Sequence, residues 1–190
     1  MAKTLKNLER SIEETRFACS VATDTLSRPT YLDQAREDST HLGYSEAMYL
    51  TYQIQEYYFS IANREFGHMT QYDISPDCCD LEVISNNGAN WVGLAKWNST
   101  MKPNTIAIAE EYLSPSRTQW SVLTETVPHE VAHIVWNQLR KAHSYSDQIK
   151  LGFRTKTGRF SSHGLLWKEI FKRITGFKKI NNRYFEQVTR

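Results

Sequence analysis

The chain has 190 residues, 40% hydrophobic and 12% aromatic, enough for one core, and its 23 basic and 21 acidic side chains leave a net charge of +2. This composition excludes an acidic disordered chain and a uniformly basic packaging protein. The total hides a division: residues 1–139 hold 10 basic and 18 acidic side chains, net −8, whereas residues 140–190 hold 13 and 3, net +10.

Met1 to Arg10 has no apolar core and does not read as a secretory signal. Residues 3–26 carry Leu5, Leu8, Ile12, Phe17, Val21 and Leu26 at loosely helical intervals, so one or two helices are expected there. Residues 27–44 are polar, contain Arg28-Pro29 and read as a connection. Over 45–66 the spacing of Met48, Leu50, Ile54, Tyr57, Tyr58, Ile61 and Phe66 predicts an amphipathic helix, with Ser45 as N-cap and Gly67 as stop. The period then changes. Asp80–Ser85 and Trp91–Trp97 read as strands separated by the turn signal Asn86-Asn87-Gly88, and Thr105–Ala109 reads as a third strand with one buried face. A small, mostly antiparallel sheet is expected.

From Ser116 the helical period returns through Trp120, Leu123, Val127, Val131, Ile134, Val135 and Leu139. Pro128 marks a kink or the first turn of a second helix. Residues 141–162 are rich in charge and contain Gly152 and Gly158, so a long mobile connection is expected. Leu165–Ile174 is helical again, with Leu166, Trp167, Ile170, Phe171 and Ile174 on one side. The expected fold class is α+β in a single domain over 1–190, with a helical extension at 1–44 and a core at 45–190. Three cysteines, Cys19 and the adjacent Cys78 and Cys79, form no CxxC pair, which suits a reducing cytoplasm and rules out a zinc ribbon. No apolar run approaches the ~18 residues of a membrane span, so no membrane partner is expected.

His129-Glu130-Val131-Ala132-His133 is an HExxH motif on a predicted helix. Residues four apart share a helix face, so two imidazoles there can reach one zinc ion at ~2.0–2.1 Å. Glu130 is offset by one residue, placed to take a proton from water activated by the metal and deliver it to a leaving amine. The alternative is a chance grouping of polar residues on a helix surface. Val131, Ala132, Ile134 and Val135 argue against it, because a core helix rarely carries such residues without a partner. A catalytic zinc site needs a third protein ligand. The extended HExxHxxGxxH form is excluded, since Trp136 and Leu139 stand at those positions. His143, His163 and Glu169 remain open, with His163 favoured because it stands at the start of a predicted helix beside Gly164, which leaves room for close packing.

Val127-Pro128-His129-Glu130-Val131-Ala132-His133 with Trp136, followed by His163-Gly164-x-x-Trp167, resembles the SprT-like family of zinc metallopeptidases, which includes proteases that cleave proteins covalently trapped on DNA. The strand Thr105–Ala109 with Tyr112-Leu113, and the tail from Gly176-Phe177-Lys178 to Tyr184-Phe185-Glu186, are compatible with that pattern, and the likeness covers residues 90–187. It implies a zincin-like fold, Zn2+ on His129, His133 and His163, Glu130 as general base, and a sheet edge at Thr105, Ile106, Ala107, Ile108 and Ala109 on which a protein substrate docks in extended form. Two departures stand out. The segment between His133 and His163 is longer than the family usually has, and the cysteine-rich ribbon of many relatives is missing from a chain that stops at Arg190.

Basic residues after 140 interleave with aromatic ones. Lys150, Arg154, Lys156, Arg159, Lys172, Lys178 and Lys179 are candidate DNA contacts, single- or double-stranded, because cations neutralise phosphates and exposed rings stack on bases. The alternative is a solvated helix face over core aromatics. The expected function is a zinc endopeptidase acting on protein bound to DNA. The competing expectation is a nucleic-acid- or partner-binding module with a structural zinc.

Overall fold

The computed structural model describes residues 42–97, 103–114 and 119–176. The expected helices at 3–26, almost all of the 27–44 connection, Lys178, Lys179 and the tail after Gly176 lie outside the described residues.

The first helix, α1, spans Tyr44–Phe66 and buries Leu50, Ile54, Tyr58, Ile61 and Phe66 along one face. Its N-cap is Gly43 rather than Ser45, with no side-chain cap. Gly67 ends it, and one 3-10 turn, Gly67–Met69, follows.

Three strands follow: β1 (Cys79–Ile84), β2 (Gly93–Lys96) and β3 (Asn104–Ala109). Their order in the sheet is β1-β3-β2. β1 runs parallel to β3, with Cys79 opposite Asn104, and β2 runs antiparallel, with Gly93 opposite Ile108. The sheet is therefore mixed, not mostly antiparallel. β3 is its central strand, not an edge, and all six of its residues are buried, so it has two covered faces rather than one. Thr105, Ile106, Ala107, Ile108 and Ala109 have their backbone on both sides engaged by neighbouring strands and cannot receive a docking peptide. The physical reason is in the run itself: Ile-Ala-Ile-Ala is apolar at consecutive positions, the mark of a strand buried on both faces. The turn at Asn87 (φ 51°) and Gly88 (φ 77°) separates β1 from β2 without pairing them, and β3 inserts between the two.

A helical turn, Gln119–Ser121, widens into a π-helical turn, Val122–Thr126, and continues as α2, Val127–Lys141. Pro128 lies in the first turn of α2, where its missing N–H leaves no bond unmade. The wide turn before it carries the i→i−5 bond from Val127 N–H to Val122 C=O. Val127 to Leu139 are all buried, and α2 packs against α1, β2, β3 and the last helix. The buried Gln119 amide donates to the carbonyls of Leu113 (2.8 Å) and Leu42 (3.0 Å) and accepts from Leu42 N–H (2.9 Å), tying the start of α1 to this segment.

The stretch 141–162 is folded rather than a mobile connection. Ser144 caps α3, Tyr145–Leu151, and Gly152 ends it in the left-handed conformation (φ 86°). A tight hairpin follows, with Arg154 bridged to Phe160, Gly158 at φ 83° in the turn and Phe153 fully buried beneath it. Thus the glycines punctuate compact elements. The hairpin returns the chain to α4, Leu165–Thr175, which buries Leu166, Trp167, Ile170, Phe171 and Ile174 as its periodicity predicts. Among the described residues the architecture is α+β: four helices and a three-stranded sheet that packs on α2. Among the described residues no helix is long and apolar enough to cross a membrane.

Candidate metal centre

His129 and His133 stand one turn apart on α2, both buried, and His163 arrives from the residue before the α4 N-cap, Gly164. Their Nε2 atoms form a triangle: 3.1 Å between His129 and His133, 3.0 Å between His133 and His163, and 3.3 Å between His163 and His129. Each Nε2 either donates or accepts, so among three mutually close ring nitrogens at least one pair meets like against like. A cation at the centre removes that conflict. Tetrahedral coordination at ~2.0–2.1 Å requires nitrogens about 3.3–3.4 Å apart, close to the observed triangle. The three histidines therefore fit a metal ion.

Their electrostatics agree. Burial, then the charge of His163, holds His129 down at about 3. Burial, then His129 and His163, drives His133 well below the usual imidazole range, and His163 is lowered by burial and Lys168. All three rings are neutral near pH 7, the form that offers a lone pair to a metal.

Glu130 is buried beside them, and burial pushes its carboxyl up to about 8 against the opposing hydrogen bond from the Ala95 backbone N–H. That bond follows from the β2 register. Ala109 N–H donates to Val92 C=O at 2.9 Å, so by the two-residue period Leu94 and Lys96 turn their backbone toward β3, while Gly93 and Ala95 turn theirs toward α2. The approach is close. A Cβ on Gly93 would lie 2.5 Å from Thr126 Cγ2 and 2.9 Å from Glu130 Oε1.

Trp167 lies against all three imidazoles, with ring centroids 4.7 Å from His129, 5.0 Å from His133 and 5.0 Å from His163. Phe171 stacks on Trp167 at 5.2 Å and also meets His129 edge to face at 6.1 Å. This explains the spacing in His163-Gly164-x-x-Trp167. Gly164 opens the helix, so residue 167 falls in its first turn, next to the histidine that precedes the cap. The room Gly164 provides is taken by Ser161, whose side chain a Cβ there would strike, rather than by the metal site.

The other candidate ligands stand apart. Glu169 lies 4.0 Å from Arg173 in an ion pair, and His143 stacks on Phe153 at 5.8 Å. Cys78 and Cys79 are free thiols; burial pushes Cys78 up to about 12 and Cys79 higher still, which makes both inert. Of the basic residues, Lys150 pairs with Asp147 at 3.3 Å, while Arg154 donates from Nε to Gln148 Oε1 (2.8 Å) and from Nη1 to Gly158 C=O (2.7 Å). Lys156 and Arg159 are exposed on the hairpin, and Lys172 is half-buried on α4.

Gly93, Ala95 and the floor formed by Trp167 were not assigned to the site from the sequence. A glycine inside a strand was the available signal for close backbone approach at Gly93. No family model, curated protein or solved structure matches the chain.

Proposed function

We propose that this chain is a zinc-dependent endopeptidase with a zincin-like fold, of SprT-like type. The observation that carries this reading is the convergence of three neutral imidazole nitrogens beside one buried carboxyl. An all-imidazole ligand set suits zinc, and His129, His133 and His163 would hold it. A zinc ion bound there supplies Lewis acidity toward water and toward a peptide carbonyl.

Glu130 holds and moves the proton. As carboxylate beside a bound cation it would accept a proton from water and return it to the leaving amine. The Ala95 N–H keeps it in place, and Trp167 fixes the planes of the three imidazoles. β2 is the edge strand that borders Glu130, so the substrate backbone is assigned to β2 instead of β3.

The proposed substrates are proteins held on DNA. The basic stretch begins at Arg140, immediately after the zinc-binding turns of α2, and carries His163. A binding module with a structural zinc is the competing reading. Structural sites are closed by four protein ligands, whereas three converge here among the described residues, with a carboxyl that a structural site does not need.

The test compares wild type with Glu130→Gln for zinc content and for cleavage of casein and histone, with and without single-stranded DNA. The variant keeps zinc and loses at least ~10²-fold in rate. Equal cleavage by the two proteins refutes the catalytic assignment.

A further inference from the structure

Past His133, the same face of α2 leads through Trp136 to Arg140. Trp97, directly after β2, packs on Trp136 with ring centroids 6.3 Å apart, and Trp136 meets Phe160 edge to face at 6.1 Å. Phe160 stands on the hairpin, three residues before His163. Two guanidiniums lie against its ring, Arg154 at 3.9 Å and Arg140 at 4.8 Å, and Arg154 also lies 4.9 Å from the Tyr145 ring. Phe160 is 46% exposed and Tyr145 58%, so the cluster is open to solvent.

Neutral groups hold both arginines in place. Arg140 donates from Nε (3.2 Å) and Nη2 (2.7 Å) to Asn137 Oδ1, and Arg154 donates to Gln148 and Gly158. Among the described residues neither has a carboxylate partner. The nearby Asp147 is engaged by Lys150 and by the Ser144 hydroxyl, and Glu169 by Arg173. Two like charges gathered on one ring, with Arg140 Nη1 and Arg154 Nη2 uncommitted among these residues, offer paired donors of the kind that oxyanions accept from.

Arg140 lies on the same helix as His129 and His133. His133 and Arg140 are seven residues apart, about 10 Å along the helix. An extended peptide covers that length in about three residues. We propose that Arg140 and Arg154 bind an acidic side chain of the substrate, about three residues from the bond that is cut, so that the preferred substrates are acidic peptides. This inference rests on the peptidase reading for the position of that bond. A peptide carboxylate suits the cluster better than a nucleic-acid strand, because both exposed rings are already engaged by guanidiniums. What the site offers is hydrogen-bond donors rather than free faces on which bases stack.

The experiment measures fluorescence anisotropy with the zinc-loaded full chain carrying Glu130→Gln, which does not consume the probe. The probes are a labelled 12-residue peptide of alternating Glu and Ala, its Gln counterpart, and a 15-nucleotide oligothymidine. The Glu peptide binds about tenfold more tightly than the Gln peptide, as expected for charge-assisted hydrogen bonds, and Arg140→Gln or Arg154→Gln brings the ratio close to one. If Arg154→Gln does not fold, by circular dichroism and zinc content, Arg140→Gln decides. Equal binding of the two peptides overturns the inference, as does arginine-dependent binding of the oligothymidine alone. Casein cleavage without a Glu preference overturns it while leaving the peptidase reading standing. Arginine-dependent Glu binding by a wild-type protein that cleaves nothing supports the acidic-peptide site and refutes the peptidase reading alone.

Discussion

Gly93 is the position where a single methyl group tests the geometry of the site. In Gly93→Ala the new Cβ would lie 2.5 Å from Thr126 Cγ2 and 2.9 Å from Glu130 Oε1, both well inside van der Waals contact. Thr126 and Glu130 are buried and β2 is hydrogen-bonded to β3, so the strain falls on packed atoms. Overpacking of this kind costs about 1–3 kcal/mol. For a chain of this size that lowers Tm by roughly 3–10 °C. The effect on rate has a separate origin. Displacing the Glu130 carboxyl by a fraction of an ångström to ~1 Å from its bond to Ala95 N–H lowers kcat by up to ~10²-fold. The two effects separate in Gly93→Ala/Thr126→Ser, which removes Cγ2 but leaves Glu130 crowded. Thermal unfolding and casein hydrolysis on zinc-loaded proteins read them independently. The double variant regains most of the lost Tm while its rate stays low. A Gly93→Ala protein with wild-type Tm and rate would mean that β2 does not press on Glu130, and would falsify the reasoning.

Two further outcomes are expected. His163→Ala leaves two imidazoles and loses most of the zinc at micromolar metal, measured by a chromogenic chelator; retention of a full equivalent would point to Glu169 or His143 as ligand, against the observed triangle. In the metal-free protein, His129 is depressed from 6.5 to about 3 and His133 is also depressed, so the unfolded chain binds more protons across that range and stability is lost as pH falls from 6.5 toward 3. Glu130 is raised from 4.5 to about 8, so the folded state binds the extra proton and stability is lost as pH rises through 8. Between pH 6.5 and 8 the Glu130 contribution acts against little opposition and lowers stability by about 2 kcal/mol, a decline that Glu130→Gln abolishes. Urea midpoints at the two pH values, in chelator, measure this, and an undiminished decline in the variant refutes it.

How much of the site was legible depended on the range of the interactions. The pair His129 and His133 could be read directly, because their spacing needs only one helical turn. Glu130 came with them. The third member of the group is one of three residues in the sequence, and the chain path from α3 through the hairpin brings His163 against the pair. Trp167 could be read as a core residue from its helical period, but its contact with all three imidazoles depends on how α4 crosses α2. Thr105–Ala109 suggests alternation, yet Ile106-Ala107-Ile108-Ala109 is apolar at every position, as a strand buried on both faces requires. The charges and glycines of 141–162 suggest a long mobile connection, but Gly152 and Gly158 hold left-handed turns that punctuate folded elements.

By itself the sequence determined what local periodicity and residue chemistry can determine: the helices α1, α2 and α4, the presence of three short strands, a helical imidazole pair with its glutamate, and the excess of positive charge after residue 140. Only the tertiary structure decided the strand order, the choice of His163 over Glu169 and His143, the approach of Gly93 and Ala95 to Glu130, and the pairing of Arg140 with Arg154 across Phe160. These depend on contacts between segments far apart in the chain. Such contacts follow from how buried faces pack together, and no spacing within a single element encodes them.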